Sequence, residues 1–254
     1  MKVISYNVNG LRAAIKKDLL VWLKAENPDV ICFQETKSQP EQIDHQLFAE
    51  LGYEHHYWHS AVKKGYSGVA TYSKVAADKC TVGIGMEKYD NEGRVIATTY
   101  GDTTILNCYF PSGSSGEERH AFKMEFLEDF GKWFKKQKKK FNDVIVLGDY
   151  NIVHGAIDIH NPDRKDKPSG YRPEERAWMD DWFRKGMHDA FRVKYPETQE
   201  FSWWSYRAGS RKKNKGWRID YISISDGIKD RLKDCKQLNE AVHSDHCPVI
   251  CEFK

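Results

Sequence analysis

The sequence predicts an α+β chain in which two mixed β-sheets pack face to face with helices on both outer sides, a four-layer sandwich. Three observations carry this prediction. Short apolar runs rich in Val and Ile recur from end to end, and several are followed by segments with helical spacing of apolar residues. No linker, low-complexity stretch or shift in composition divides residues 1–254, so one domain is expected. Finally, Tyr6-Asn7-Val8 and Tyr150-Asn151-Ile152 each close an apolar run, one near the start of each half. Two similar layers facing one another would produce such a repeat.

Taken in order, residues 2–6 alternate and read as a strand running into Asn7-Val8-Asn9-Gly10. Residues 11–26 carry Ile15, Leu19, Trp22 and Leu23, the stripe of one helix, stopped by Asn27-Pro28-Asp29. Residues 30–33 form a second strand that ends in Gln34-Glu35-Thr36-Lys37, and residues 40–51 read as a short helix closed by Gly52. From 53 to 109 short strands alternate with turn residues such as Gly65, Gly68 and Gly93. The last of them runs into Tyr109-Phe110-Pro111-Ser112-Gly113. Residues 117–140 are a long helix with Phe122, Phe126, Phe130, Trp133 and Phe134 on one stripe. Its lysines lie at the C-terminal end, where the helix dipole favours them.

Residues 144–147 form an apolar strand that passes through Gly148 into Asp149 and Asn151. Residues 155–172 have little periodicity, and irregular segments of that length tend to be functional. A helix over 173–185 follows. The aromatic run 201–207 (FSWWSYR) and the basic loop 211–215 precede a clear alternating strand over 217–224. Residues 242–246 lead into a final strand at 248–253.

With 40% hydrophobic residues the chain can bury a sizeable core. Its 40 basic and 37 acidic residues nearly cancel, so net charge names no partner. The local basic runs 135–140 and 211–215 are solvated faces unless they flank a site. The N-terminus lacks the apolar core of a signal peptide, and no run approaches membrane-spanning length. A cytoplasmic protein without a membrane partner is therefore expected. Six cysteines without a CxxC pair read as reduced, mostly buried thiols, neither disulfides nor a zinc site. Eight tryptophans imply either an aromatic core or an aromatic binding surface.

The polar residues at strand ends make a pattern. In an extended chain Asp149 and Asn151 point to one face and can address one small object, although a plain strand-to-loop turn reads the same way. Asn7 and Asn9, Glu35, Tyr109, Asp220 and Asp245-His246 also stand at or just beyond the end of an apolar run. If these ends open on one edge they line one cleft with carboxylates, amides, an imidazole and a phenol but no thiolate. Such a donor set suits Mg²⁺ or Mn²⁺, not zinc, and its few carboxylates favour magnesium over calcium. His246 supplies a proton acceptor or a charged donor near neutral pH, and Asp220 can orient it. Metal, base and amide donors together fit attack of water on a phosphodiester. Each residue has a plainer alternative: rim ion pairs for Glu35 and Asp149, turns for Asn7, Asn151 and His246, core for Tyr109. It is their convergence that argues for a site.

Six ordered blocks sharpen the reading. They are Asn7-Val8-Asn9-Gly10-Leu11-Arg12, Gln34-Glu35-Thr36-Lys37, Tyr109-Phe110-Pro111, Gly148-Asp149-Tyr150-Asn151, Trp217-Arg218-Ile219-Asp220-Tyr221 and Ser244-Asp245-His246-Cys247-Pro248. In order and spacing the chain resembles, over its whole length, the exonuclease III family of apurinic/apyrimidinic endonucleases in the endonuclease/exonuclease/phosphatase superfamily. The resemblance implies a DNase I-like sandwich and Mg²⁺-dependent cleavage of duplex DNA 5′ to abasic sites in base excision repair, with Mn²⁺ as a substitute. It also implies 3′-to-5′ exonuclease and 3′-phosphodiesterase activity on 3′-blocked ends, a monomer, and nucleoid association if the source is bacterial.

Residue by residue, the resemblance implies that Glu35, with Asn7 and Asn9, holds the metal, while Asp149, Asn151 and Asp245 complete a second or shared position. Asp149 would handle a proton and Asn151 would stabilise the charged transition state. His246, supported by Asp220, would contact phosphate or activate water, and Tyr109 would bond the phosphate. Trp203, Trp217 and Ile219 would form the pocket for a flipped abasic sugar, leaving Trp182 and Trp204 to the core. Arg12, Lys37, Tyr66, Arg94, Arg207 and Arg211 would contact DNA.

Three departures bear on metal affinity and on the balance of activities: Asn9 where many relatives carry Asp, Ser112 where they carry Asn or Gln, and Pro168 where some place Asn. A different phosphodiesterase of the superfamily, related to DNase I, sphingomyelinases or inositol-phosphate phosphatases, is the nearest alternative. Trp217 and the Gln34–Lys37 block favour the repair branch. A catalytically dead binding module is the other alternative, and against it every metal and proton-transfer residue is present.

Overall fold

The structure, a computed structural model, describes residues 1–254. In chain order the first strands are β1 (Lys2–Asn7), β2 (Val30–Gln34), β3 (His55–His59), β4 (Val69–Ser73), β5 (Lys79–Val82) and β6 (Val95–Tyr100). They continue as β7 (Thr103–Tyr109), β8 (Asp143–Asp149), β9 (Met187–Asp189), β10 (Asp220–Ser225), β11 (Leu232–Gln237) and β12 (Val249–Phe253). The helices are α1 (Leu11–Ile15), α2 (Leu19–Glu26), α3 (Gln46–Ala49), α4 (Glu87–Asp90), α5 (Glu117–Lys138), α6 (Pro173–Arg184), α7 (Ala190–Lys194) and α8 (Asp226–Lys229).

Two six-stranded sheets result, in the orders β11-β12-β1-β2-β4-β3 and β9-β10-β8-β7-β6-β5. Both run antiparallel, antiparallel, parallel, antiparallel, antiparallel across those orders. The repeat at Asn7 and Asn151 thus reflects a real correspondence of layers. β1 and β8 hold equivalent central places, and their ends meet across the sandwich where Asn7 bonds Asp149.

Val3, Val30, Ile105, Ile145, Leu147, Ile222 and Val249 fill the space between the sheets. The stripe on α5 behaves as its spacing requires: Phe126, Phe130 and Phe134 are buried, with Phe122 and Trp133 packed against them. At roughly 2 kcal/mol for each fully buried large apolar side chain, this face anchors α5 to the second sheet. A third cluster, including Leu11, Leu19, Leu23 and Phe33, seals α1 and α2 onto the first sheet. No helix is long and apolar enough to cross a membrane. All six cysteines are free; five are buried, and Cys80 is exposed on edge strand β5.

Three elements depart from expectation. The helix expected over 11–26 is two helices, because Asp18 takes φ 64° between them. Asp tolerates that left-handed geometry, and the break re-aims Leu19 and Leu23 at the core. The helix expected over 40–51 is a 3-10 turn (Pro40–Gln42) followed by α3, since Ile43 turns extended to bury its side chain. The strand expected from Trp217 joins the sheet only at Asp220; Trp217 instead bridges to Trp203 and Ile159.

Candidate active site

The site forms where β1, β2, β7, β8 and β10 end on one edge. Gly148 has φ 140°, and a Cβ there would lie 1.8 Å from the Cys108 carbonyl oxygen, so only glycine lets β8 run this close to β7. Asp149 follows, 1% exposed. Asn151 meets it by a route other than the expected one. It is not extended but at φ 54°, folded back so that its backbone N–H donates to Asp149 Oδ1 (2.8 Å). Its Nδ2 donates to Asp149 Oδ2 (3.2 Å) and to the Phe110 carbonyl (3.0 Å).

From the other sheet, Asn7 Nδ2 donates to Glu35 Oε1 (3.0 Å) and Asp149 Oδ2 (2.8 Å), while Asn7 Oδ1 accepts the Asn9 N–H (3.0 Å). Asn9 Nδ2 donates to Asp245 Oδ1 (2.9 Å), and its Oδ1 accepts from Lys37 Nζ. Asp245 Oδ2 accepts from Trp203 Nε1 (3.1 Å). His246 Nδ1 donates to Asp220 Oδ2 (2.8 Å), which also accepts the Ser202 hydroxyl (2.6 Å), and His246 Nε2 stands 3.9 Å from Asp149 Oδ2.

Glu35, Asp149 and His246 each bring one ligand atom within 4.8 Å of the others, a set able to hold a metal ion. The two carboxylates fit a divalent cation that keeps several waters and shares phosphate oxygens with a substrate. Three expected ligands stand differently. Asn7 Nδ2 bridges Glu35 and Asp149, while Asn9 joins Asp245 to Lys37, so in this structure their amide groups tie the acidic groups together. Asp245, bonded to Asn9 and Trp203, lies outside the trio.

Electrostatics follow from burial and crowding. Burial, with Asp220 and Glu35 nearby, pushes Asp149 up to about 8 against the opposing pull of His246. Burial works against a charged His246, but Asp220, Asp149 and Asp245 outweigh it and raise it to about 10. Burial likewise pushes Glu35 up, yet Lys37 (2.9 Å) and Asn7 bring it below the usual range. Tyr109 is driven far above its ordinary value by burial, Glu35 and Asp149, so its hydroxyl remains a donor.

Trp203, Trp217 and Ile219 do come together, the two indoles edge-to-face at 5.8 Å. They share an apolar cluster with Val153, Ile159 and Tyr171, which sequence reasoning missed. The available signal was apolar residues inside an otherwise polar, aperiodic segment. Ser202 was missed too, and nothing in its sequence setting marks it. Trp182 and Trp204 are buried.

The expected DNA contacts divide. Arg12 and Arg207 are exposed, and Arg12, Gly10, Lys16, Thr36, Lys37 and Gln42 help bound a cleft of about 530 Å³ beside the site. Tyr66 is half-buried and its hydroxyl accepts from Arg119 Nη2 (2.9 Å). Arg94 is not a surface residue: it is 2% exposed, donates to Glu92 and to the Tyr109 carbonyl (2.8 Å), and lies 4.9 Å over the Tyr109 ring. Arg211 donates to the carbonyls of Asn239 (2.9 Å), Ala241 (2.6 Å) and Ser244 (3.0 Å), so it clamps the loop that carries Asp245 and His246. Lys37 faces into the cleft toward Glu35 and Asn9. Of the departures, Ser112 bonds Ser114 (2.9 Å), and the Pro168 carbonyl accepts the Tyr171 N–H (3.0 Å) to close a turn.

Comparison with known proteins places this geometry. Residues 4–246 match the model of the Endonuclease/Exonuclease/phosphatase family. The chain is 42% identical over 251 residues to an exodeoxyribonuclease of Bacillus subtilis, covering 98% of each chain. It is 38% identical to the DNA repair nuclease APEX1 of Danio rerio, covering 98% of this chain and 81% of that one. An AP endonuclease from Archaeoglobus fulgidus superposes with TM-score 0.91 at 27% identity, over 100% of this chain and 99% of the other. The chain belongs to the endonuclease/exonuclease/phosphatase family, and within it to the exonuclease III branch of apurinic/apyrimidinic endonucleases, phosphodiester hydrolases of DNA repair.

Proposed function

We propose that residues 1–254 act as one catalytic domain, a monomeric Mg²⁺-dependent hydrolase that cuts duplex DNA 5′ to abasic sites. Release of nucleotides and blocking groups from 3′ ends belongs to the same site. The observation that carries this reading is adjacency: the Glu35, Asp149 and His246 trio lies beside the apolar cluster of Trp203, Trp217 and Ile219, with Trp203 bonded to Asp245 and bridged to His246. A base-free sugar fits an apolar pocket and forfeits little stacking when flipped, so shape selects it.

Glu35 and Asp149, with Asn151 as a further donor, would hold the cation, which would supply Lewis-acid charge to the phosphate. Asp149, raised to about 8 without metal, would be ionised beside the bound cation and take the proton of the attacking water. Asn151 offers its amide to the pentacoordinate phosphoryl group, and Tyr109 donates its hydroxyl to a phosphate oxygen. His246, held cationic by Asp220, supplies a charge-assisted hydrogen bond through Nε2. Arg12, which bounds the cleft, and Arg207, also exposed, meet the DNA.

A duplex carrying one tetrahydrofuran abasic analogue, assayed with Mg²⁺ and with EDTA, tests the reading. Strand cleavage on the 5′ side, abolished by EDTA, is the expected result. No cleavage of that duplex, together with hydrolysis of a phospholipid or inositol phosphate, would assign the chain to another branch of the superfamily.

A further inference from the structure

Behind the cleft lies an ion pair that the chemistry above leaves unused. Lys123 on α5 and Glu175 on α6 are both 0% exposed, with Nζ 2.5 Å from Oε1. Lys123 Nζ also donates to the carbonyl oxygen of Asn151 (2.7 Å). Glu175 accepts from the Gly170 N–H (2.9 and 2.7 Å to its two oxygens), the Arg172 N–H (2.9 Å) and the Ser169 hydroxyl (3.1 Å).

The segment held by Glu175 is wedged against three parts of the site. The Gly170 carbonyl accepts the Val153 N–H (2.7 Å). A Cβ on Gly170, at φ 98°, would come within 2.9 Å of the Trp217 ring and 3.1 Å of the Asn151 carbonyl oxygen. A Cβ on Gly113, in the loop after Tyr109, would meet Ser169 Oγ at 2.2 Å.

Folding alone does not call for such a pair, since apolar residues of the same volume serve a core as well or better. What does call for it is Asn151, a non-glycine residue held at φ 54° with its amide aimed at Asp149. Asn accepts left-handed backbone readily, so what must be fixed is the orientation of its peptide and amide, which the groups bonding them decide. We infer that Lys123 and Glu175 are positioning residues: together they pin the Asn151 peptide and the 169–172 segment, keeping the Asn151 amide and the Trp217 wall in register with Asp149. The inference rests on the role given to Asn151 under the proposed function.

Lys123→Met, Glu175→Gln and the combined variant test it in single-turnover cleavage of the abasic duplex at saturating Mg²⁺. Lys123→Met should slow cleavage by about 10- to 100-fold, the usual cost of losing a group that orients a site residue. The half-saturating DNA concentration should move by less than about threefold, because the lost interaction acts on the transition state. The combined variant leaves no unpaired buried charge, so its melting temperature should return toward wild type while its rate stays at least about tenfold low. In an Asn151→Ala background, Lys123→Met should cost less than about threefold, because the two changes share one path.

A folded combined variant that cuts at the wild-type rate overturns the inference, as does an undiminished Lys123→Met effect in the Asn151→Ala background. If the wild-type chain itself fails on the abasic duplex, the functional reading falls, and the pair is then judged by NMR. The Asn151 carbonyl ¹³C resonance must move in Lys123→Met, and an unchanged resonance overturns the positioning role.

Discussion

Arg218 and Asp220 stand two residues apart in one chain segment, and each reaches into a buried cluster of carboxylates with an opposite electrostatic outcome. Arg218, 0% exposed, donates from Nε to Asp158 Oδ1 (2.7 Å) and from Nη2 to Asp189 Oδ2 (2.7 Å). Arg192 adds a second guanidinium at Asp158. Burial pushes Asp158 up, but Arg218 and Arg192 overcome it and hold the carboxyl down at about 2. Asp220 joins Asp149 with only His246 as a cation partner, and Asp149 is pushed up to about 8. One cluster is neutralised from within and braces the segment between β10 and the Ala156–Asp158 turn. The other is left short of positive charge, which suits an added divalent cation. Carboxylates serve structure where the chain supplies its own counter-charge, and function where it withholds it.

The largest test of this contrast is Asp149→Asn. Abasic cleavage should fall by about 10³-fold or more while abasic duplex is still bound, since a proton-transfer group contributes on this scale. In metal-free buffer the same variant should melt no lower than wild type, because it removes a buried carboxyl that His246 alone does not offset. Single-turnover rates, gel-shift binding and thermal melts in EDTA check all three parts. A drop in metal-free stability matching the loss of rate would erase the distinction between the clusters.

Arg218→Met comes next. It strands the buried Asp189 and leaves Asp158 to Arg192 alone, so stability should fall by about 3–5 kcal/mol, measured by urea unfolding. A loss below about 1 kcal/mol, the worth of a surface pair, would mean that the cluster is not a brace.

The two clusters should also tilt stability with pH in opposite directions. Asp158 has a folded value below its ordinary one, so its contribution is present above about pH 4 and is lost as pH falls through about 2; the shift corresponds to about 2 kcal/mol. Asp158→Asn should remove that acid-side loss. Asp149 is raised, so its contribution is full below about pH 4 and disappears as pH rises through about 8 in metal-free buffer. His246, raised to about 10, tilts stability in the same sense at higher pH. Asp149→Asn should therefore flatten the decline between pH 5 and 8, about the range its shift spans, in denaturant titrations with EDTA. An unchanged slope would show that Asp149 ionises as an ordinary carboxylate.

Much of the fold was legible because hydrophobic periodicity reports burial directly. α5 and the strand ending at Asp149 lie close to where their patterns put them. The errors cluster where the backbone leaves regular geometry. The Asp18 break, the extended Ile43 and the left-handed Asn151 all answer to distant packing, to which a local pattern is blind. Residue types at strand ends foretold that Glu35, Asp149, Asp220 and His246 would meet, because sheets bring strand ends to common edges.

The direction in which each side chain faces was beyond that reasoning. Arg94 and Arg211 look like free surface cations in sequence, yet each donates to backbone carbonyls, Arg94 behind Tyr109 and Arg211 beneath the Asp245-His246 loop. Whether Asn7 offers oxygen or N–H to its neighbours depends on carboxylates that reach it from elsewhere in the chain, Asp149 from 142 residues away.

By itself, then, the sequence determined the two-layered succession of strands, the inventory of groups at their ends and, through six ordered blocks, the family. Only the tertiary structure decided which of those groups face each other, which cations are consumed inside, and that a buried lysine and glutamate stand behind Asn151. The reason is that composition and period are properties of neighbouring residues. A pKa, a ligand set or a buried ion pair is a property of groups within a few ångströms of one another, brought there from distant parts of the chain.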